Sequence, residues 1–331
     1  MKALVTGGGG FLGGAIVEML LARGDEVVSV SRGSYPELEA KGVTCFRADL
    51  GDASASRALL AQALEGCDVV FHVAAKAGIW GKFGNYLAAN VDATRNMIEA
   101  ALRAGVERFV YTSSPSVCFD GEDEVDAKND IPYADEFLCA YPETKAIAEK
   151  LALAANGKAM AVCALRPHLI FGPGDPHLLP RIIDRARSGR LRQVGDGANE
   201  VTMTYVDNAA HAHLLAADSL APGAPHAGKA YFIGQEQSVN LWGWLNGVLE
   251  ELDIPRIEKR ISTSKAKSIG RIAEFIWKWC FLPGEPPMTR FVAAQLSTWH
   301  TFSMEPARVD FGYREVVPMD VATERAVDAL R

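Results

Sequence analysis

A glycine-rich turn between an apolar run and a helical pattern constrains the fold of this chain most. The stretch VTGGGGFLGG places Gly7, Gly10 and Gly13 at intervals of three, after the apolar run KALVT and before a helical pattern that ends near Gly24. Glycine at these positions permits a tight turn, a close approach of phosphate to the backbone, and close packing of helix on sheet. Free amide N–H groups at the helix start attract negative charge. The stretch therefore predicts a dinucleotide-binding turn.

Strand and helix patterns alternate through the first half of the sequence. Helical spacing separates six short apolar runs, which are KALVT, DEVVSVSR, VTCFRADL, CDVVFHVAA, RFVYTSS and KAMAVCALRP. This alternation is typical of right-handed βαβ units in a parallel sheet that helices cover on both faces. We therefore expect an α/β protein with a Rossmann-type, doubly wound parallel sheet.

The end of the second predicted strand indicates which dinucleotide is bound. An acidic residue there would hydrogen-bond the adenosine ribose and repel a 2′-phosphate. This chain has Ser31 and Arg32 instead, and a guanidinium can hold a phosphate through two N–H groups. We predict NADP(H) as cofactor, with NAD(H) as the alternative if Arg32 is only a solvated surface residue.

A Y-x-x-x-K pair supplies the predicted catalytic chemistry. Tyr141 and Lys145 lie four residues apart and therefore share a helix face. An ammonium beside a phenol lowers its pKa from about 10, so that the tyrosine can exchange a proton with a carbonyl or an alcohol. The preceding strand ends in YTSSPSV, and Ser114 or Ser113 can donate a hydrogen bond to the same substrate oxygen.

These motifs, in this order, resemble the extended short-chain dehydrogenase/reductases over nearly the whole chain. The resemblance rests on TGxxGxxG, ADL after the third strand, HVAAK after the fourth, NVDAT, the serine-bearing strand and YxxxK. It implies that Ser114, Tyr141 and Lys145 are catalytic. The cofactor-binding residues that it implies are Gly7, Gly10, Phe11, Leu12, Gly13, Ser31, Arg32, Asp49, Leu50, Ala74, Ala75, Asn90, Thr112, Tyr141, Lys145, Pro167 and Ile170.

The resemblance also assigns roles within the cofactor site. Asp49 and Leu50 would lie beside adenine, Asn90 would support the nicotinamide half, Lys145 would hold the nicotinamide ribose, and Pro167 would pack near the carboxamide.

Distinctive stretches resemble the 3β-hydroxysteroid dehydrogenase-like branch of that family. They include AAKAGIWG, RPHLIFGPGDPHLLPR and SMEPARVDFGY, and they look closest to the branch members that reduce long-chain 2-alkyl-3-oxo acids in bacterial olefin biosynthesis. The resemblance implies NADPH-dependent reduction of a β-keto acid to a β-hydroxy acid. An NAD(P)-dependent 3β-hydroxysteroid or sterol dehydrogenase is the main alternative.

Other readings remain at this stage. A sugar-nucleotide epimerase or reductase is disfavoured because Ser114 is followed by Pro115 and Ser116 rather than by the acidic pair of the dehydratases. A cofactor-sensing protein without chemistry is disfavoured because the chain keeps both Tyr141 and Lys145. A scaffold subunit is compatible with catalysis.

Two groups of side chains are candidates for substrate contacts. Trp80, Phe83 and Tyr86 follow the fourth strand and could form a wall for a flat or long apolar substrate such as a keto acid or steroid, or could simply pack a loop.

A keto acid also needs a cation for its carboxylate, and Arg181 or Lys76 could supply it. His168 and His177 follow the sixth strand; a lone histidine is more often a structural residue than a substrate contact.

The sequence after residue 166 loses the strand–helix rhythm. We expect residues 1–166 to form the NADP-binding Rossmann domain and residues 167–331 a smaller, mostly α-helical substrate-binding region, with the chain crossing back around residues 200–220. The acidic segment Phe119–Phe137 is predicted to be a surface loop. Ile272, Phe275, Ile276 and Trp279 recur at helical spacing, which favours a core helix. A lid, a membrane-surface helix or a docking face are the alternatives.

Composition excludes several classes of protein. A net charge of −7 argues against a nucleic-acid partner. The six cysteines are scattered without a CxxC pair, so neither a disulfide framework nor a metal site is expected. We expect no signal peptide, no transmembrane segment and a cytoplasmic location. A homodimer and association with other pathway enzymes are further expectations.

Overall fold

The computed structural model describes residues 1–176 and 178–331, except for the side chain of Ala55. The strands are β1 (Lys2–Thr6), β2 (Glu26–Ser31), β3 (Thr44–Arg47), β4 (Val69–His72), β5 (Arg108–Thr112), β6 (Glu124–Ala127), β7 (Ala161–Pro167), β8 (Ile170–Phe171), β9 (Gln193–Val194), β10 (Glu200–Val201), β11 (Thr204–Tyr205), β12 (Ala230–Ile233), β13 (Val239–Asn240), β14 (Arg260–Ile261) and β15 (His300–Phe302).

The helices follow the same order along the chain. They are α1 (Phe11–Ala22), α2 (Pro36–Ala40), α3 (Ala53–Ala63), α4 (Phe83–Tyr86), α5 (Ala93–Ala104), α6 (Ala140–Ala154), α7 (Leu179–Arg187), α8 (Val206–Ser219), α9 (Leu241–Glu251), α10 (Thr263–Trp279), α11 (Arg290–Gln295), α12 (Glu305–Phe311) and α13 (Met319–Asp328). A π-helical turn, Leu87–Asp92, joins α4 to α5, and a 3₁₀ turn, Pro115–Val117, follows β5.

A seven-stranded sheet forms the centre of the fold. Its order is β12-β7-β5-β4-β1-β2-β3, and every neighbouring pair is parallel. The predicted α/β class with a doubly wound parallel sheet is therefore confirmed. The strand order reverses direction at β1, so the chain leaves a crevice beyond the carboxyl ends of β1 and β4, where ligands bind in such sheets.

Alternate residues of each central strand pack into two separate cores. Leu4 lies opposite Val28 and Val70 in the sheet and shares with them the core under α3, α5 and α6. Ala3 and Val5 point to the other face, where they meet α1 and α8. Burial on both faces explains why these strands read as continuous apolar runs.

The sheet also uses residues from the second half of the sequence. β12 pairs in parallel with β7, and α8 packs against α1 on one face of the sheet. The division of the chain at residue 166 stays a prediction.

The acidic segment Phe119–Phe137 is not only a surface loop. Phe119 and Glu124 are buried, and β6 joins a second sheet in which it pairs with β15. The sequence does not reveal this strand, because Val125 and Asp126 are exposed and because its partner lies about 175 residues further on.

The expectation that the stripe on α10 is core is wrong. Ile272, Phe275 and Trp279 are 60%, 63% and 65% exposed, and Ile276 is also exposed. The helix packs instead through its small residues Ala266, Gly270 and Ala273. Among the described residues, no helix has the length and apolar character needed to cross a bilayer.

Candidate active site

The glycine turn after β1 is as tight as its sequence predicts. Gly7 has a φ of +72°, and a Cβ at Gly13 would lie only 2.1 Å from the Gly7 carbonyl oxygen. The Gly10 amide donates to that same oxygen at 2.8 Å, and α1 begins one residue later. The first amides of α1 have no intrahelical acceptor and therefore face any ligand above the turn.

A threonine holds the ends of the two central strands together beside this turn. Thr6 Oγ1 accepts hydrogen bonds from the Val73 and Ala74 amides at 3.0 and 2.9 Å. The backbone of Ala74 consequently lies so close to Gly7 that a Cβ there would be 3.3 Å from the Ala74 Cα. The floor of the crevice is fixed before any ligand arrives.

A cleft of about 900 Å³ runs along the carboxyl ends of the strands. It is lined by Ser114 and by every predicted cofactor residue except Asn90, namely Gly7, Gly10, Phe11, Leu12, Gly13, Ser31, Arg32, Asp49, Leu50, Ala74, Ala75, Thr112, Tyr141, Lys145, Pro167 and Ile170. It is long enough to bring the second strand's end and the Y-x-x-x-K pair into one continuous space.

The outer end of the cleft carries positive charge and an unpaired hydroxyl. Ser31 Oγ is buried without a hydrogen-bond partner among the described residues. Arg32 is exposed, and its carbonyl accepts from Arg47 Nε at 2.9 Å, which brings a second guanidinium to this end. Arg47 is not among the residues predicted from the sequence, although its position opposite Ser31 in the β2–β3 register could have revealed it.

An aromatic ring that the sequence analysis also missed lies over the glycine turn. Tyr35 lines the cleft, and a Cβ at Gly9 would lie 2.3 Å from its ring. The only signal for this residue is its position three residues after Arg32.

The inner end of the cleft brings together the three predicted catalytic residues. Tyr141 lies in the first turn of α6, half-buried, and lines the cleft together with Ser114. Ser114 Oγ accepts from the Ser116 amide at 3.3 Å and caps the 3₁₀ turn. Lys145 lies one turn further along α6, is 2% exposed, and donates from Nζ to the Thr112 carbonyl at 2.5 Å.

The prediction that Lys145 lowers the pKa of Tyr141 is wrong. Burial raises the pKa of Tyr141, and the neighbouring Ser114 hydroxyl opposes that rise. Lys145 Nζ is directed to the Thr112 carbonyl and lies 4.3 Å from the centre of the Tyr111 ring. Burial lowers the pKa of Lys145 itself to about 7, and the carboxylate of Glu149 partly counteracts this shift.

A buried ion pair supports Lys145 from behind. Glu149, one turn beyond Lys145 on α6, accepts from Arg166 Nη2 and Nε at 2.6 and 2.9 Å. Tyr133 donates to the same carboxylate at 2.6 Å. Arg166 holds the pKa of Glu149 below its ordinary value against the effect of burial. The sequence analysis missed this pair because its members lie on different elements.

Asn90 lies outside the cleft and connects two of its walls. Its side chain accepts from the Lys76 amide at 2.7 Å and donates to the Thr144 hydroxyl at 3.0 Å. It sits in the π-helical turn, a distortion that is frequent at functional sites. Its position orients the loop that carries Lys76.

The side chains predicted to bind the substrate carboxylate lie in different places relative to the cleft. Lys76 lines the cleft, whereas Arg181 is exposed outside it and pairs with Glu285 at 3.2 Å. His168 is buried away from the cleft, where its Nδ1 contacts the Thr202 carbonyl at 2.6 Å, and burial lowers its pKa to about 3. His177 lies outside the described residues.

The three aromatic residues of the predicted wall also take different positions. Tyr86 is buried and donates to the Trp80 carbonyl at 3.0 Å, while its ring lies 5.4 Å from Lys76 Nζ. Trp80 lines a second groove, and Phe83 is exposed. The three aromatic residues therefore do not form one wall of the cleft.

The geometry fits a nicotinamide dinucleotide. The glycine turn would accept the pyrophosphate, the unpaired Ser31 hydroxyl and nearby guanidinium groups would meet the adenosine half, and Lys145 lies deep in the cleft. Ser114 and Tyr141 present two hydroxyl groups at one point, which suits a reacting carbonyl or alcohol oxygen.

Comparisons with known proteins agree with this arrangement. Residues 4–262 match the 3-beta hydroxysteroid dehydrogenase/isomerase family. The chain is 49% identical over 98% of both chains to 2-alkyl-3-oxoalkanoate reductase of Stenotrophomonas maltophilia (strain K279a). It is 35% identical to the decarboxylating sterol-4-alpha-carboxylate 3-dehydrogenase of Mus musculus, over 99% of this chain and 90% of that one.

The solved structure of MoeE5 in complex with UDP-glucose and NAD superimposes with a TM-score of 0.75 at 26% identity, over 100% of this chain and 99% of that one. The fold, the cleft and these relatives together show that the chain is an oxidoreductase and belongs to the 3-beta hydroxysteroid dehydrogenase/isomerase family.

Proposed function

We propose that this protein reduces a long-chain 2-alkyl-3-oxoalkanoate to the 2-alkyl-3-hydroxyalkanoate with NADPH. The observation that carries the proposal is the convergence of Tyr141, Ser114 and Lys145 at the inner end of a cleft that fits a dinucleotide. The relatives at 49% and 44% identity, both named 2-alkyl-3-oxoalkanoate reductase, support this substrate class.

The two hydroxyl groups activate the ketone. Ser114 and Tyr141 each donate a hydrogen bond to the carbonyl oxygen, which makes the carbonyl carbon more electrophilic. A nicotinamide held in this cleft would supply the hydride for that carbon. Tyr141 then gives its proton to the developing alkoxide, and its raised pKa keeps it protonated for this task.

Lys145 contributes from the deep side of the cleft. Cofactor binding would offer Nζ the hydroxyls of the nicotinamide ribose in addition to the Thr112 carbonyl. A charged Lys145 near the phenol also stabilises the phenolate that remains after proton transfer. Glu149 favours that charged form.

The outer end of the cleft supports NADPH over NADH. Arg32 and Arg47 form no ion pair within the described residues, and no acidic side chain occupies the end of β2. Two guanidinium groups and the unpaired Ser31 hydroxyl suit a 2′-phosphate.

The carboxylate of the keto acid would pair with Lys76. This residue lines the same cleft as Tyr141, and its backbone is fixed by Asn90. Arg181 is a poorer partner because Glu285 already holds it.

A sterol dehydrogenase is the second candidate. It is favoured by the 35% identity to the sterol-4-alpha-carboxylate 3-dehydrogenase, which covers nearly the whole chain. The higher identity to the two 2-alkyl-3-oxoalkanoate reductases, 49% and 44%, favours the keto acid over a sterol.

One assay separates these candidates. Initial rates should be measured with a long-chain 2-alkyl-3-keto acid and with a 3β-hydroxysteroid panel, each with the phosphorylated and unphosphorylated cofactor. We expect the keto acid with NADPH to give the highest kcat/KM. Turnover of the steroids alone would contradict the proposed substrate, and equal rates with NADH would contradict the cofactor preference.

Location and assembly complete the proposal. We propose a cytoplasmic enzyme that forms a homodimer and associates with other enzymes of its pathway. Size-exclusion chromatography with light scattering, alone and with those enzymes, measures both associations, and a single monomeric peak in each run would contradict them.

A further inference from the structure

One stretch of the surface holds most of the exposed large apolar side chains. Thirteen such side chains are exposed in the described part of the chain, and seven of them fall between residues 269 and 282. These seven are Ile269, Ile272, Phe275, Ile276, Trp279, Phe281 and Leu282. Such a concentration differs from the scattered single residues of an ordinary surface and marks an interaction site. We call these seven residues the α10 face.

The α10 face cannot turn inward. The opposite side of the helix carries Ala266, Gly270 and Ala273, which pack against α11. A Cβ at Gly270 would lie 2.6 Å from the Thr289 backbone, so the two segments are in close contact. The helix is therefore held by its small side, and rolling it to bury Phe275 would separate this contact.

Positive charge flanks the α10 face. Residues 259–290 contain seven Lys or Arg and two Glu, in a chain whose net charge is −7. Both acids are already paired, Glu274 with Arg290 at 2.7 Å and Glu285 with Arg181 at 3.2 Å. At about 100° per residue, Arg271 and Lys278 fall on the edge of the face away from the core.

Arg271 and Lys278 have no ion-pair partner among the described residues, and both are exposed. A ligand of this surface must therefore have an apolar interior that accepts the rings and a negatively charged surface layer that pairs with Arg271 and Lys278. A bilayer that contains anionic lipid has both properties, because acyl chains lie directly beneath a layer of phosphates. Trp279 is suited to that boundary, since its ring is apolar and its N–H is polar.

We propose that the α10 face docks this protein on the surface of an anionic lipid bilayer. The helix lies in the plane of the interface, with the rings of Phe275, Trp279 and Phe281 among the acyl chains and with Arg271 and Lys278 at the phosphates. It does not cross the bilayer, because its charged residues and its packing against α11 keep one side in the protein.

Docking would place a lipid surface beside the catalytic helix. A groove of about 430 Å³ separates α10 from Cys139 and Ala140, the residues directly before Tyr141, and Trp80 and Trp279 also line it. A substrate with long alkyl chains dissolved in the bilayer would enter from this side. This consequence rests on the proposed function, whereas the docking does not.

Vesicle sedimentation of the full-length protein tests the docking without any substrate. We expect the protein to sediment with vesicles of phosphatidylcholine and phosphatidylglycerol, to bind vesicles of phosphatidylcholine alone at least about tenfold more weakly, and to be released by high salt. Failure to sediment with the anionic vesicles would overturn the proposal, as would equal affinity for both kinds of vesicle.

Variants locate the contact on the protein. Phe275→Ser combined with Trp279→Ser should abolish sedimentation, and Arg271→Gln or Lys278→Gln should each weaken it about fivefold. The matched control is Val309→Ser combined with Val316→Ser, two exposed apolar residues outside the α10 face. Circular dichroism checks that all variants fold. Unchanged binding by the Phe275/Trp279 variant would overturn the proposal.

Fluorescence supplies an independent measurement. Brominated acyl chains should quench tryptophan emission on binding, and Trp279→Phe should keep most of the binding but lose most of the quenching. Quenching that persists in Trp279→Phe would show a different contact and would overturn the proposed orientation. Recruitment of a protein partner to the α10 face, with no affinity for vesicles, would overturn the proposal as a whole.

Discussion

The two ends of the cleft are built by different means. At the inner end, Tyr141, Ser114 and Lys145 are at least half-buried, and Ser114 and Lys145 are hydrogen-bonded to the protein. At the outer end, Arg32 directly after β2 and Arg47 at the end of β3 are exposed. The side chains at the inner end are therefore held by their neighbours, whereas the two guanidinium groups at the outer end face solvent.

The difference reflects how accurately the side chains at each end must be positioned. Proton transfer depends on distances of a few tenths of an ångström, so its groups are fixed by their neighbours. A phosphate can be held by flexible guanidinium groups, because charge attraction tolerates small displacements. We expect substitutions at the inner end to remove most of the turnover. Substitutions at the outer end should weaken cofactor binding only in part.

The largest effect should come from Tyr141→Phe. This change removes the proton donor and keeps the ring, so kcat should fall by about 10²–10⁴-fold. Cofactor affinity, measured by fluorescence titration with NADPH, should stay within about twofold because the phenol hydroxyl contributes little to it. Retained turnover would show that the inner end does not act through this hydroxyl.

Glu149→Gln should cost the most stability. The change leaves the buried guanidinium of Arg166 without its counter-charge, and the free energy of unfolding should fall by about 3–5 kcal/mol in urea titrations at neutral pH. Because the pKa of Glu149 is lowered in the folded state, the pair stabilises fully above the ordinary carboxyl pKa and loses its effect as the pH falls through the folded value. Acidification should therefore destabilise the wild type more than the variant.

The same variant should move a pH profile. Burial lowers the pKa of Lys145 to about 7, and the charge of Glu149 opposes that shift. If turnover needs the charged lysine, kcat/KM falls as the pH rises through this value, and Glu149→Gln should shift that decline to lower pH. A destabilised but otherwise equivalent variant, Val162→Ala in the core, should leave the profile in place.

A graded effect is expected from Arg32→Ala at the outer end. Loss of a charged hydrogen bond to the 2′-phosphate should weaken NADPH binding by about 10–100-fold and leave NADH binding unchanged. Arg47→Ala should give a smaller loss of the same kind. An equal loss for both cofactors would mean that Arg32 supports the fold of the turn rather than the phosphate.

The smallest effect should come from the substrate cations. Lys76→Met should raise the KM for the keto acid about tenfold without changing the KM for an uncharged ketone of similar length. Arg181→Ala should change neither value, because Arg181 lies outside the cleft. If Arg181→Ala raised the KM for the keto acid and Lys76→Met did not, the carboxylate would bind at the outer surface near Arg181.

The sequence predicted the fold class well because the determinants of the sheet are local. Each buried strand is a short apolar run, and the helices have their own spacing, in some cases with a glycine stop such as Gly105, whose φ is +75° after α5. Strand β6 escaped prediction because it is stabilised by a distant partner, β15, and not by a pattern of its own.

The site was predictable to the extent that motifs carry it. The glycine turn and the Tyr141–Lys145 spacing place residues on one cleft wall by helix and strand geometry alone. The ion pair of Glu149 and Arg166 depends on the packing of α6 against β7, which no single segment encodes. The same limit explains the α10 face, where apolar spacing predicts a helix but cannot tell which of its sides meets the protein.

The late position of β12 has a consequence for synthesis of the chain on the ribosome. The outer edge of β7 keeps unpaired N–H and C=O groups until residues 230–233 have emerged, more than sixty residues after β7 itself. During that interval the nascent sheet has an unpaired strand edge that can hydrogen-bond to a neighbouring chain and lead to aggregation. We therefore expect slower synthesis or chaperone binding between β7 and β12 to change the yield of folded protein without changing the stability of the finished molecule.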